Sequence, residues 1–290
     1  MNSWFFCAYW QLVTAILIIC SQMSTPQMLR SVNNSLVKQM KKLHLAKERR
    51  KQNLCLLEGT HLLESACSVD WGLETVCCTN LWRDRHPQLW EEILARVGRV
   101  ELVTGEVLRA IASTVNPDGV VATASRPGLE SNPETDIRLG LALERLQDPG
   151  NLGTIIRTAV ATDVDRLWLS RDSVDLDNPK VLRSSSGEWF RLSMGVTEDL
   201  IKVVKSCQTK GVQVVGTKPE AKQSYWDVDY TSPTLILLGN EGAGLSDELA
   251  SLTDCQVSVP LARGVESLNV AIAAALLLYE ARRQLIVDSG

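Results

Sequence analysis

Histidine is scarce in this chain: three in 290 residues, at positions 44, 61 and 86. None falls in residues 137–290, so a Ser-His-Asp or Cys-His mechanism is excluded from that half. The eight cysteines never meet at Cys-x-x-Cys spacing, and no Asp/Glu/His set has the spacing of metal ligands, so no metal is expected. The Gly-x-Gly-x-x-Gly fingerprint and the Gly-Lys-Ser/Thr of a P-loop are both missing, which argues against a dinucleotide oxidoreductase and against P-loop chemistry. An excess of positive charge is missing too. The formal net charge is −4, so the chain as a whole is no obvious nucleic-acid binder.

Charge is also absent from residues 1–29. Residues 4–20 form an apolar run of about 17 residues, short for a membrane span. No positive region precedes it, as a secretory leader requires. Two readings stay open: a membrane anchor, or a start assigned too early, with Met23 or Met28 as the true first residue. The second is expected, because the sequence after Arg30 has a cytosolic character. Scattered thiols likewise point to a reducing, cytoplasmic setting with the cysteines mostly buried.

What is present is a globular composition, 45% hydrophobic and 22% charged, long enough for two domains. In residues 30–124 strand and helix patterns alternate: helix at 34–50, strand at 54–59, helix at 60–66, strand at 75–79, helix at 87–97, strand at 100–103, helix at 105–113, strand at 120–124. A small α/β domain is expected there. Residues 125–136, with two prolines and a glycine among polar residues, read as a linker. Residues 137–290 show short apolar strands at 138–143, 166–170, 213–216, 234–238 and 256–259, separated by helices at 153–163, 178–186, 197–210, 245–252 and 269–286. That pattern predicts a parallel sheet covered on both faces, with ligands beyond the carboxyl ends of its strands.

Charge within the first unit is uneven. Residues 38–51 hold Lys38, Lys41, Lys42, Lys47, Arg49, Arg50 and Lys51 against Glu48 alone. Such a stripe serves either as a phosphate-binding face or as a solvated helix face.

Three segments of the second unit carry candidate chemistry. Asp148-Pro149-Gly150-Asn151-Leu152-Gly153 follows a strand and leads into a helix bearing Arg157, four residues after Gly153. A guanidinium there is placed to reach a phosphate or carboxylate at the helix start, or is an ordinary surface arginine. Gly239-Asn240-Glu241-Gly242-Ala243-Gly244 places three glycines in six residues after a buried strand. It is either a tight turn or a loop that presents backbone to a ligand, and Glu241 is expected to be buried with partners. Ser267-Leu268-Asn269 opens a helix so apolar, through residues 271–278, that burial on nearly all sides is expected, by the sheet and by a second subunit.

Taken together, these residues resemble the SpoU (TrmH-type) branch of the SPOUT methyltransferases. An Asn-x-Gly-x-x-x-Arg run stands at residues 151–157. A Gly-x-Glu-x-x-Gly-Leu run stands at 239–245, with one residue's variation in spacing. A strand end at Val259-Pro260-Leu261 is followed by Ser-Leu-Asn-Val at 267–270. Residues 178–185 resemble the branch's substrate-side segment. The likeness covers all of 137–290, and residues 30–124 resemble its small RNA-binding domain.

The resemblance implies a deep trefoil knot, a homodimer and S-adenosylmethionine as donor. It implies methyl transfer to a ribose 2′-hydroxyl of rRNA or tRNA, with the look of the 23S rRNA guanosine enzymes. It assigns donor binding to Thr217, Gly239, Val259, Leu261 and Leu268. It assigns activation of the hydroxyl to Arg157, with Asn151, Glu241, Ser267 and Asn269 shaping the site. RNA phosphates are expected on Lys41, Lys42, Arg49, Arg50, Lys180 and Arg183. Because a guanidinium stays protonated, Arg157 is read here as stabilising a developing alkoxide or gripping a phosphate, against the branch's assignment of it as a base. A non-catalytic RNA-binding protein that keeps the fold is the competing class.

Overall fold

The computed structural model describes residues 28–126, 128 and 136–288. The apolar run at 4–20 and most of the expected linker lie outside the described residues.

Residues 54–125 build a four-stranded sheet. Its strands are β1 (Leu54–Glu58), β2 (Leu73–Cys78), β3 (Arg99–Leu102) and β4 (Val120–Ser125), in the order β1-β4-β2-β3. β4 pairs antiparallel with β1 and β2, while β2 and β3 run parallel. Helices α1 (Ser35–Lys42), α2 (Ala46–Gln52), α3 (Thr60–Ser68), α4 (Asn80–Arg85), α5 (Pro87–Arg96) and α6 (Gly105–Ile111) cover it.

The single helix expected over 34–50 is two. α1 buries Leu36, Val37 and Met40, and the chain turns at Leu43. Leu45 is extended, with φ −93° and ψ 127°, and α2 starts anew. One long-range contact and one local one set the break. His44 Nε2 donates to Ile111 O at 2.6 Å, and the buried Arg49 guanidinium donates to Leu43 O and His44 O, both at 3.1 Å. A cation thus closes the carbonyl end of α1, where the helix dipole favours it.

The second sheet has seven strands, in the order β7-β6-β5-β10-β8-β11-β9, and every pairing is parallel. They are β5 (Leu139–Leu143), β6 (Arg166–Ser170), β7 (Met194–Thr197), β8 (Gln213–Thr217), β9 (Gln223–Ser224), β10 (Thr234–Leu238) and β11 (Cys255–Ser258). β5 and β10 are buried at every position, as strands covered on both faces must be. The helices between them are α7 (Pro149–Ala161), α8 (Pro179–Ser184), α9 (Leu200–Thr209), α10 (Asp247–Ala250) and α11 (Val270–Asp288).

α11 is not buried on nearly all sides of this chain. Ala271, Ala274, Leu277, Leu278, Ala281 and Leu285 face the core, while Ile272, Tyr279 and Ile286 are each at least half exposed.

The two sheets share one hydrophobic cluster. At the seam Trp71 meets Trp189 edge-on at 5.5 Å and Phe190 at 5.4 Å. Beside them a buried charge cluster joins Arg49 to Asp177 at 3.1 Å and to Asp175 at 3.0 Å, and Asp177 also accepts from Arg126.

Candidate active site

Beyond the carboxyl ends of the adjacent strands β10, β8 and β11 lies a cavity of about 360 Å³. That is the crevice where doubly covered parallel sheets bind ligands, and the volume is that of a small-molecule site. Thr217, Gly239, Val259, Leu261 and Leu268, the five residues singled out for donor binding, all line it. Ser267 and Glu241 line it as well.

The glycine-rich loop is held closed by its own backbone. Asn240 and Gly244 exchange hydrogen bonds of 3.0 and 2.9 Å. A Cβ on Gly239 would lie 2.0 Å from Gly244 C, so no side chain fits between the two arms. Asn240, which the sequence reading passed over, organises this loop. Its Oδ1 accepts from Gly242 N and Ala243 N, and its Nδ2 donates to Arg145 O at 2.8 Å. The signal was available, because an asparagine ahead of a glycine pair is a common side-chain-closed turn.

At the rim, three of the expected site residues form one network. Asn269 Nδ2 donates to Asn151 Oδ1 at 2.9 Å, and Asn151 Nδ2 donates to Glu241 Oε1 at 3.2 Å. Glu241 is exposed rather than buried, yet it is not idle. It accepts from Asp148 N at 3.0 Å and from Gln147 N at 3.2 Å. Partial burial works to raise its pKa, but these donors outweigh it and the net shift is downward. Glu241 therefore stays ionised at neutral pH, and the network is lost only as pH falls below the ordinary carboxylate range. Asn269 is also the N-cap of α11, accepting from Ala271 N at 2.9 Å. Its carbonyl oxygen caps the helix while its amide reaches the network, so the cap and the site are one residue.

The start of α7 differs from expectation. Asp148 is the N-cap, accepting from Gly150 N and Asn151 N, and Pro149 takes the first helical position. The segment 148–153 is thus a helical turn, and a carboxylate already occupies its free donors. Those donors, with that of Asn151 foremost, hold the Asp148 carboxyl below its usual range. Gly153 faces α8: a Cβ there would lie 1.9 Å from Ser184 Oγ. Arg157, one turn on, follows the same face. Its exposed guanidinium donates to Ser186 Oγ at 3.4 Å and does not join the Asn151–Glu241–Asn269 network.

The residues expected to hold RNA divide. Lys41 and Lys42 are exposed on α1, with Lys38, Lys47 and Lys51 exposed nearby. Arg49 is a correction: it is 1% exposed and bound to Asp175 and Asp177, so it braces the seam and offers nothing to a phosphate. Arg50 is exposed and paired with Asp175 at 2.6 Å. Lys180 stands 3.7 Å from Asp148. Arg183 reaches the buried carboxylate of Glu58 at 3.1 Å. Among the described residues no cluster of His, Cys, Asp and Glu could hold a metal, and no helix is long and apolar enough to cross a membrane.

Comparison with known proteins adds independent findings. A family model described as the SpoU rRNA Methylase family matches residues 138–279, and one described as an MRM3-like substrate binding domain matches 34–122. An uncharacterized tRNA/rRNA methyltransferase of Synechocystis is 49% identical, covering 88% of this chain and 93% of that protein. The 23S rRNA (guanosine(2553)-2′-O)-methyltransferase RlmP of Bacillus subtilis is 35% identical over 88% of this chain and 98% of its own. The structure of an AdoMet-bound rRNA methyltransferase from Sinorhizobium meliloti superposes with a TM-score of 0.78 at 32% identity, covering 89% of this chain and 98% of that one.

Proposed function

This chain belongs to the SpoU rRNA methylase family, and from that premise we propose a working account of its cleft. The protein is an S-adenosylmethionine-dependent RNA 2′-O-methyltransferase. One observation carries the account of the site: the five donor-binding residues line a single cavity, and the Asn151–Glu241–Asn269 network stands at its edge.

The cavity suits the donor. Its walls mix apolar side chains with bare loop backbone, and its rim carries an ionised carboxylate that favours a cation. Gly239, Val259 and Leu268 would hold S-adenosylmethionine through backbone, with Thr217 beside it and Leu261 over its apolar part. When bound, it supplies a methyl group already activated on a sulfonium. The protein's own task is alignment and charge. Asn151, Glu241, Ser267 and Asn269 shape the pocket. Arg157 stabilises the alkoxide that develops on the ribose, or grips the neighbouring phosphate. A 2′-hydroxyl target selects RNA over DNA.

The substrate proposed is 23S rRNA, at a guanosine ribose, on the strength of the named Bacillus relative. Exposed Lys38, Lys41, Lys42, Lys47 and Lys51 supply a phosphate-binding stripe on the small domain. A second copy covers the outer stripe of α11, where Ile272, Tyr279 and Ile286 recur at seven-residue spacing and are 50%, 56% and 56% exposed. Sedimentation at micromolar concentration should give a dimer, and a monomer would refute that part. The C-terminal segments are taken to form the knot that the resemblance implies, and the reaction to run in the cytoplasm, where the free thiols of the described chain stay reduced.

The test is transfer of labelled methyl to unmodified rRNA and tRNA, followed by mapping of 2′-O-methyl positions. One protected guanosine in 23S rRNA is expected. Label on a base, or none on any RNA, contradicts the account. In the second case donor binding by calorimetry separates an enzyme with another RNA substrate from a non-catalytic RNA-binding protein.

A further inference from the structure

We propose that Ser186 is a positioning residue for Arg157, and that helix α3 of the small domain fixes Ser186 in place, so that the domain that engages RNA also sets the guanidinium. The proposal rests on the role of Arg157 given above.

The Ser186 hydroxyl is the hydrogen-bond partner that the described residues provide for the Arg157 guanidinium, at 3.4 Å from Nη1. It sits in the turn just past the C-cap of α8, at the position where a left-handed residue ends a helix. Ser186 has φ +50° and Gly187 has φ +80°, two successive left-handed residues after α8. A serine at such a φ is uncommon, and glycine would adopt it at lower cost. A serine kept beside a reactive group at a helix-ending position that usually takes glycine is a pointer to use.

The turn is seated on the small domain from three sides. His61 Nε2 donates to Ser186 O at 3.0 Å. Gly187 lies so close to α3 that a Cβ there would be 2.0 Å from Ser65 Oγ. Ser65 in turn donates to His61 O at 2.9 Å, which ties the two contacts together on one helix face. Just before the turn, Arg183 reaches the buried Glu58 carboxylate at 3.1 Å and donates to Ser113 Oγ. Just after it, Trp189 packs on Trp71 at 5.5 Å. A long guanidinium side chain held at a rigid acceptor loses rotamers before the reaction rather than during it, which is the gain that positioning supplies.

The test uses the full chain and unmodified RNA. Ser186→Gly removes the hydroxyl while relaxing the backbone, so a folding defect is not expected and Tm should not fall. Loss of a hydrogen bond to a charged group should slow single-turnover methyl transfer by about tenfold or more, with donor affinity by calorimetry unchanged. Ser186→Asn, which tolerates the left-handed region and returns an acceptor, should recover most of the rate. In an Arg157→Ala background Ser186→Gly should add nothing, because its effect runs through the arginine. His61→Ala should slow transfer by less than Ser186→Gly does, and a wild-type rate there overturns the part assigned to α3. A slow Arg157→Ala beside a wild-type-rate Ser186→Gly overturns the positioning alone, as does a full additional loss in the double variant. Full activity of Arg157→Ala overturns the role of Arg157 and the proposal with it.

Discussion

Arg157→Ala is expected to slow methyl transfer by about 10²–10³-fold, the loss typical of removing one preorganised electrostatic partner of a transition state. Donor affinity should be untouched, because Arg157 is not among the residues that line the cavity below Gly239. The proximity of α7 to that cavity makes the expectation specific. Asn151, on the first turn of the same helix, belongs to the rim network, whereas Arg157 lies two turns in and turns toward Ser186. The charge and the base readings of Arg157 separate in a second variant. Arg157→Lys keeps a cation but shortens the reach and loses the planar fork, so partial activity with an unchanged pH profile supports stabilisation of charge. A profile that shifts with the lower pKa of lysine supports proton removal. The rates come from single-turnover measurement under saturating donor and RNA. Wild-type rate in Arg157→Ala contradicts both.

Arg49→Met should cost about 3–5 kcal/mol of stability, because it leaves buried carboxylate without its cation. In a chain of this size each kcal/mol lowers Tm by about 2–4 °C. Arg49 and Asp177 are each 1% exposed, and the guanidinium also closes the carbonyl end of α1. One substitution therefore removes a helix cap and breaks the seam between the two sheets. Arg49→Lys should recover little, since a single ammonium cannot serve two carboxylates and two carbonyls at once. Thermal unfolding measures it, and an unchanged Tm in Arg49→Met would contradict the assignment.

Arg49 also marks where the sequence stopped being legible. In sequence it is one more cation in the stripe of seven over residues 38–51, and nothing local distinguishes it from Lys41 or Arg50. Its burial is decided by Asp175 and Asp177, about 126 residues away in sequence. The break in the first helix was hidden as well, because one of its contacts joins His44 to Ile111 O, 67 residues on. Strands told another story. β5, β6 and β10 were read within a residue of their ends, because runs buried on both faces are apolar at nearly every position. β7, Met-Gly-Val-Thr at the sheet edge, was missed, since a four-residue strand that is half-buried at all but its glycine carries no such signal. The start of α7 was placed too late because Asp-Pro-Gly looks like a turn, although aspartate at the N-cap and proline at the first position also open helices. At the site, motif order named the residues that line the cavity. It gave no hint that Arg157 leans on Ser186, because that contact depends on how α7 packs against the turn after α8, 29 residues away in sequence.

The most direct measurement is a crystal structure of the protein soaked with S-adenosylmethionine, paired with calorimetry on Gly239→Ala. The account predicts density for the donor between the 239–244 loop and residues 259–268, and loss of binding when a methyl group forces the loop apart. A clear cavity there with density elsewhere, or unchanged affinity in Gly239→Ala, would contradict it.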